Sequence, residues 1–192
     1  MKKGIIVIII LVLLGMFGCS KYNGLVKQDE NVKNKWGAVQ SQYQRRADLI
    51  PNLVNTVKGA ANFEQETLTK VIEARAKATQ VTINADDLSP EKIQQFQQAQ
   101  GQLSSALGRL LAVAESYPQL KANQNFLDLQ AQLEGTENRI TVARNDFNNA
   151  VNEYNSNVRT FPNNLVAGIS GFKQKGYFEA QAGAENAPKV QF

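Results

Sequence analysis

From Tyr22 onward the apolar residues recur at alternating steps of three and four: Tyr22, Leu25, Asp29, Val32, Trp36, Val39, Tyr43, Arg46, Ile50, Leu53 and Val57. This spacing gathers one side of a helix into a single stripe at a coiled-coil-like period. Two positions in the stripe are charged, Asp29 and Arg46. The phase is unbroken across Pro51. A loop would reset it, so the pattern predicts a kinked helix that continues through the proline. The alternative is a new helix with Asp48 as N-cap and Pro51 in its first turn. The pattern weakens at Gly59, and Phe63 to Val81 then reads as a further helix with Leu68, Val71, Ile72 and Ala78 on its apolar side.

The stretch "TINADDLSPEK" is a loop. It ends in a helix start, with Ser89 as N-cap, Pro90 at N1 and Glu91 in the first turn. The next stripe runs Ile93, Phe96, Gln100, Leu103, Leu107, Leu110, Ala114 and Tyr117. Its phase does not survive Pro118, which marks a real turn. The last long stripe runs Phe126, Gln130, Leu133, Glu137, Ile140, Arg144, Phe147, Val151, Tyr154, Val158 and Phe161. Phe161-Pro162-Asn163-Asn164 stops that helix. Leu165, Val166, Ile169, Phe172, Tyr177 and Phe178 form a glycine-interrupted segment expected to pack back on the bundle. Residues 182–192 read as a flexible tail. The predicted fold is all-α: an elongated antiparallel bundle of about four helical segments spanning residues 20–181.

The N-terminal 19 residues follow a different pattern. Lys2 and Lys3 precede an uncharged run, Gly4 to Gly18, in the layout of a signal peptide. At about 15 residues the run is shorter than the roughly 20 of a typical transmembrane helix. Met16-Phe17-Gly18-Cys19 resembles a lipobox, which makes Cys19 the candidate lipidation site. The alternative is an uncleaved anchor helix. Lys21, Lys27, Lys33 and Lys35 follow the run, so a lysine count does not favour export; the signal layout places the domain on the extracytoplasmic side of a bacterial membrane.

Composition narrows the chemistry. The 192 residues are 43% hydrophobic and 20% charged, ordinary values for a folded chain. Setting aside Lys2 and Lys3 leaves 19 basic against 17 acidic residues, too even a balance for a nucleic-acid partner. There is no histidine and only one cysteine. The commonest general base, the commonest metal ligand and any thiolate cluster are therefore missing. No metal or cofactor is expected.

The blocks "YNGLV", "RRADLIPNLVNTVKG", "ALGRLLAVAESYPQLKAN", "NFLDLQAQLEGTENRI", "NAVNEYN" and "FPNNLVAGISGFK" resemble the LemA family across most of residues 22–178. The resemblance implies a membrane-associated bacterial protein with an N-terminal apolar segment and an antiparallel helical domain. It implies no defined activity. Two features depart from the family. The pair Gly18-Cys19 ends a segment that is more often an anchor helix, and "AANF" lacks the Tyr and His that often follow the "VKG" block.

Among polar residues, Arg45, Arg46 and Asp48 draw notice, since paired arginines grip carboxylates or phosphates. Arg46, however, interrupts an apolar stripe, and so does Glu137. An internal Arg46–Glu137 pair, setting the helix register, accounts for both. Glu115, Lys121 and Asn123 flank Pro118, and Asn163 and Asn164 follow Pro162; these turn residues are either partner contacts or helix caps. Glu64 and Glu66 face different directions and make no acid/base pair. Asp86-Asp87 reads as loop solvation and capping. The expected function is non-enzymatic: a scaffold or partner-binding module for envelope proteins. The alternative is a lipid or small-ligand carrier with an enclosed inter-helix pocket, and an enzyme comes third.

Overall fold

The computed structural model describes residues 2–60 and 63–180. The predicted tail at 182–192 lies outside the described residues. Among those described there is no strand, and the fold is all-α. Four long helices, α1 (Lys2–Lys58), α2 (Gln65–Gln80), α3 (Pro90–Ala114) and α5 (Gln124–Arg159), are accompanied by two short ones, α4 (Pro118–Lys121) and α6 (Asn163–Ser170).

Helix α1 runs unbroken through Pro51, so the start at Asp48 is not used. A proline has no N–H to give the carbonyl one turn back, here that of Ala47. The structure fills the vacancy from outside: Arg75 Nε of α2 donates to the Ala47 carbonyl at 2.8 Å. One long side chain thus removes the buried unpaired acceptor that Pro51 would create, and it fastens α2 to α1.

Helices α1 and α5 lie antiparallel. Gln28 meets Glu153, Lys35 meets Asp146 and Gln42 meets Arg139. Each rung advances seven residues on α1 and retreats seven on α5, so the polar flanks fix the register that the apolar stripes leave open. The α1 stripe is buried from Leu25 to Val57, with Tyr22 exposed and Asp29 partly buried. Helices α2 and α3 form a second antiparallel pair; Pro90 sits at N1 as predicted, but the Ser89 hydroxyl makes no capping bond.

Two apolar clusters result. One collects Leu25 to Tyr43 of α1, Ile93 and Phe96 of α3, and Ile140 to Val158 of α5 around Trp36. The other collects Ile50 to Val57 of α1, the buried face of α2, Leu103 to Leu110 of α3, and Phe126 to Leu133 of α5. Trp36 packs edge-on against Phe96 with ring centroids 5.2 Å apart, and Phe178 stacks on it at 6.1 Å while also meeting Phe96 at 6.3 Å.

Several stripe positions face outward. Ile72 on α2, Gln130 on α5, and Phe161, Leu165, Ile169 and Tyr177 beyond it are exposed. Helix α5 touches more than one neighbour, so its buried face widens to include Leu129, Thr136, Ala150 and Asn155, which a single stripe does not contain. Of the segment expected to pack back, Phe178 is buried and Val166 and Phe172 are partly buried against the Trp36 cluster.

That segment is held in an unusual way. Residues 172–180 form no helix or strand, and side-chain amides satisfy their backbone. Asn155 pairs with both backbone groups of Lys175, at 2.8 and 2.9 Å. Asn148 does the same for Phe178, and Gln97 for Glu179.

At its other end α1 continues through Gly4–Gly18 and Cys19 without interruption. From Gly4 it is long and apolar enough to cross a membrane. Ile5 to Val12 all stand exposed and touch none of the bundle core.

Candidate functional site

The two apolar clusters are separated by a polar layer whose centre is Arg46. Its side chain is 2% exposed. Nη1 donates to Ser104 Oγ at 2.8 Å and to Glu137 Oε2 at 3.0 Å, while Nη2 donates to the Gln100 side chain at 2.6 Å and to its carbonyl at 3.3 Å. The guanidinium lies 5.0 Å from the Tyr43 ring centroid. Gln100 in turn donates to the Ala78 carbonyl, so α1, α2, α3 and α5 all meet in this layer. Nε is buried and finds no partner among the described residues. Burial raises the Tyr43 phenol above its ordinary range, against the pull of Arg144 and Arg46.

The Arg46–Glu137 pair is lopsided. Glu137 is 53% exposed, so the acid stands at the mouth of the layer and the base at its floor. The mouth opens into a groove of about 420 Å³ between α3 and α5, with Arg46 at its base. Ser104, Leu107, Gly108 and Leu111 form one wall, and Gln130, Leu133, Glu134 and Glu137 the other. Both sets follow i, i+3, i+4, i+7, so each wall is one helix face about two turns long. The leucines give both walls apolar surface, and the two glutamates form an acidic edge. Gly108 leaves the middle open: a Cβ there would meet nothing within 4 Å.

A second polar node lies near the end where α1 leaves the bundle. Lys175, 8% exposed, pairs with Asp29 at 2.8 Å and sits 5.2 Å from the Tyr154 ring centroid. Lys33 reaches Asp29, Glu30 and Asp86, which staples the α2–α3 loop to α1. Burial pushes the Asp29 carboxyl up, but hydrogen bonds from Lys175 and Lys33 outweigh it and hold the group below its ordinary value. The Tyr154 phenol is pushed up to about 12 by burial and by the nearby Asp29 charge. The Asp29 interruption of the α1 stripe is thus an internal contact for the C-terminal segment.

The remaining sequence candidates are not gathered into one place. Glu115 and Lys121 are exposed at the α3–α4 and α4–α5 turns. Asn123 caps α5, accepting from the Phe126 N–H at 3.2 Å. Asn163 and Asn164 open α6 at the opposite end of α5, and Asn163 donates to Asn157. Cys19 is exposed on α1. Arg45 and Asp48 are exposed and lie outside the Arg46 layer, and Asp48 accepts from Gln44. No group of metal-ligating side chains occurs among the described residues.

A model of the LemA family matches residues 35–192. The chain belongs to the LemA family. The match covers the whole Arg46 layer and both groove walls, and begins beyond the apolar part of α1. Relatives of this LemA family chain include Protein LemA of Metamycoplasma hominis, 26% identical over 169 residues, 86% of this chain and 74% of that protein. Magnetosome protein MamQ 2 of Paramagnetospirillum magneticum is 27% identical over 177 residues, 83% of this chain and 65% of the relative. Magnetosome protein MamQ of Magnetospirillum gryphiswaldense is 27% identical over 179 residues, 82% and 64% respectively. The chain therefore spans just under two thirds of those magnetosome proteins.

Sequence reasoning missed the groove itself and the amide clamps. The paired spacing 104, 107, 108, 111 was present in the sequence, but Leu107 reads as core, and only the gap beside Gly108 turns that face into a groove.

Proposed function

We propose that this LemA family chain is a membrane-anchored, non-enzymatic binding module of the bacterial envelope. Its α3–α5 groove receives an amphipathic helical segment of another envelope protein, whose apolar face meets Leu107, Leu111 and Leu133 and whose basic flank meets Glu134 and Glu137. The observation that carries this reading is the groove: two antiparallel helix faces, two turns long, with leucines in the walls, Arg46 at the base and an acidic edge. Helix-in-groove recognition uses the same i, i+3, i+4, i+7 anchors on the incoming segment. The groove is open, which favours a macromolecular segment over the enclosed ligand of a carrier.

The apolar N-terminal part of α1 supplies the anchor, either as a spanning helix or through a lipid on Cys19 after cleavage, with the bundle on the extracytoplasmic side. Intact mass of the membrane form decides between the two anchors: a chain that begins at Met1 removes the lipoprotein. Glu115 and Lys121 are further partner contacts at the far end, while Asn123 is committed to its cap.

Gly108→Leu tests the reading. It fills the groove where there is space and replaces a poor helix former, a change worth up to about 1 kcal/mol in favour of the helix. Crosslinking in native membranes, followed by quantitative mass spectrometry, should show a partner enriched with the wild type and depleted with the variant, at unchanged or raised melting temperature. An unchanged partner profile would defeat the groove assignment. Substrate turnover by the purified chain, lost on changing one carboxylate or arginine, would replace the module with an enzyme.

A further inference from the structure

Helix α6 turns its apolar residues away from the bundle. Ala167 is buried and Val166 partly so, but Leu165 is 57% and Ile169 90% exposed, and Phe161 just before the helix is 74% exposed. Leu165 and Ile169 are four apart and share one face. A single exposed apolar residue needs no explanation; three within nine residues, at one end of the molecule, form a patch that does.

The location of the patch identifies what covers it. Val166, Ile169 and Ser170 line a cleft of about 460 Å³ whose opposite wall is Gly15, Gly18, Cys19, Tyr22 and Asn23 of α1. Tyr22, itself exposed, meets Phe172 with ring centroids 5.7 Å apart. The end of α6 therefore sits level with the last turn of the apolar run and the first turns after it. That run, Gly4 to Gly18, measures about 22 Å along a helix, against about 30 Å for a bilayer's hydrocarbon core. The apolar surface ends too early on α1, and Ile169 and Tyr22 continue it sideways at the same height, with Leu165 on the same face of α6 as Ile169. Lys21, whose ammonium lies 5.3 Å from the Phe17 ring centroid, and exposed Lys173 place positive charge at the same edge, where anionic headgroups would stand.

We propose that α6 is an interfacial helix: Phe161, Leu165 and Ile169 insert into the lipid surface beside α1, so that the bundle is held to the bilayer at two points. The proposal rests on the anchored reading above: with a spanning helix α6 extends the apolar surface of α1, and with a lipid on Cys19 the acyl chains bring Cys19, Tyr22 and Asn23, which face α6, to the membrane. A second attachment point fixes the tilt of the bundle, which a lone helix leaves free.

The test uses the full chain in native membranes with a photo-crosslinking benzophenone amino acid at Ile169, and at Val142, an exposed apolar residue on α5, as reference. Sedimentation resistant to an alkaline carbonate wash first checks the anchor; a chain released by the wash overturns the anchored reading and this proposal with it. With the chain retained, irradiation at position 169 should give several-fold more phospholipid adduct than at position 142. Phospholipid adducts no more abundant than at 142 would overturn the interfacial helix while leaving the anchor intact. Adducts at 169 dominated by a second copy of the chain or by another protein would assign the patch to that partner and likewise overturn it.

Discussion

Replacing Arg46 should cost the bundle more than replacing Glu137, although the two form one ion pair. A symmetric buried pair loses about 3–5 kcal/mol when either partner is removed. This pair is not symmetric: Arg46 is 2% exposed and Glu137 53%. In Arg46→Met the volume is nearly kept, but the buried Gln100 side-chain oxygen loses its 2.6 Å donor, and an unsatisfied buried acceptor costs about 1–3 kcal/mol. The contact with the Tyr43 ring adds about 0.5–2 kcal/mol. Ser104 and Glu137 turn to water at little cost. The expected loss is about 2–4 kcal/mol. In Glu137→Leu the guanidinium keeps Ser104 and Gln100, and water at the groove mouth replaces the carboxylate, so the loss falls to about 1 kcal/mol. The double variant should recover about 1 kcal/mol relative to the sum. Urea unfolding of the four proteins, followed by circular dichroism, gives the cycle. Equal losses for the two single variants, or a double variant additive to within about 0.5 kcal/mol, would refute the pairing and the burial argument behind it.

Three other outcomes follow from the packing. Removal of residues 1–21 should leave a helical domain that melts cooperatively, because the core begins at Leu25; a low-cooperativity species would mean that the anchor completes it. Asp29, with its folded-state pKa depressed, should contribute stability that is present above its ordinary value of 3.8 and lost as pH falls below that value through the lower folded one. Asp29→Asn should flatten this part of the urea-midpoint pH profile, and an unchanged slope would count against the Lys175 and Lys33 contacts. Gly176→Ala should destabilise by about 1–3 kcal/mol, because its Cβ would lie 2.6 Å from Pro90 Cα, whereas Gly37→Ala, in open space on α1, should stabilise by up to about 1 kcal/mol; equal melting temperatures for the two variants would contradict the close approach at Pro90.

The sequence made the long elements legible because each presents a continuous stripe, and the phase carried across Pro51 favoured the continuing helix over a new start at Asp48. The reason α1 tolerates that proline was not legible, since Arg75 reaches Ala47 from another helix. The oddity of Arg46 and Glu137 could be read as charged interruptions of largely apolar stripes; their unequal burial could not, because a stripe says which residues face inward and not how far the neighbouring helix covers them. The C-terminal segment was read from its apolar residues alone. Leu165 and Ile169 face out, and the segment's real attachments are amides on Asn148, Asn155 and Gln97, whose polar character signals nothing in a periodicity. The groove escaped for a related reason: it exists where two helix faces stay apart, and hydrophobic patterns record contact and not its absence.

The central claim, that the α3–α5 groove holds a helical segment of a partner, is tested most directly by placing a benzophenone amino acid at Leu111 in the groove wall and irradiating native membranes. The account predicts one dominant protein adduct, with crosslinked peptides confined to an amphipathic helical segment that carries Lys or Arg on one flank, and loss of that adduct when Gly108→Leu is added. Adducts scattered over many proteins, or a dominant adduct undiminished by Gly108→Leu, would contradict it.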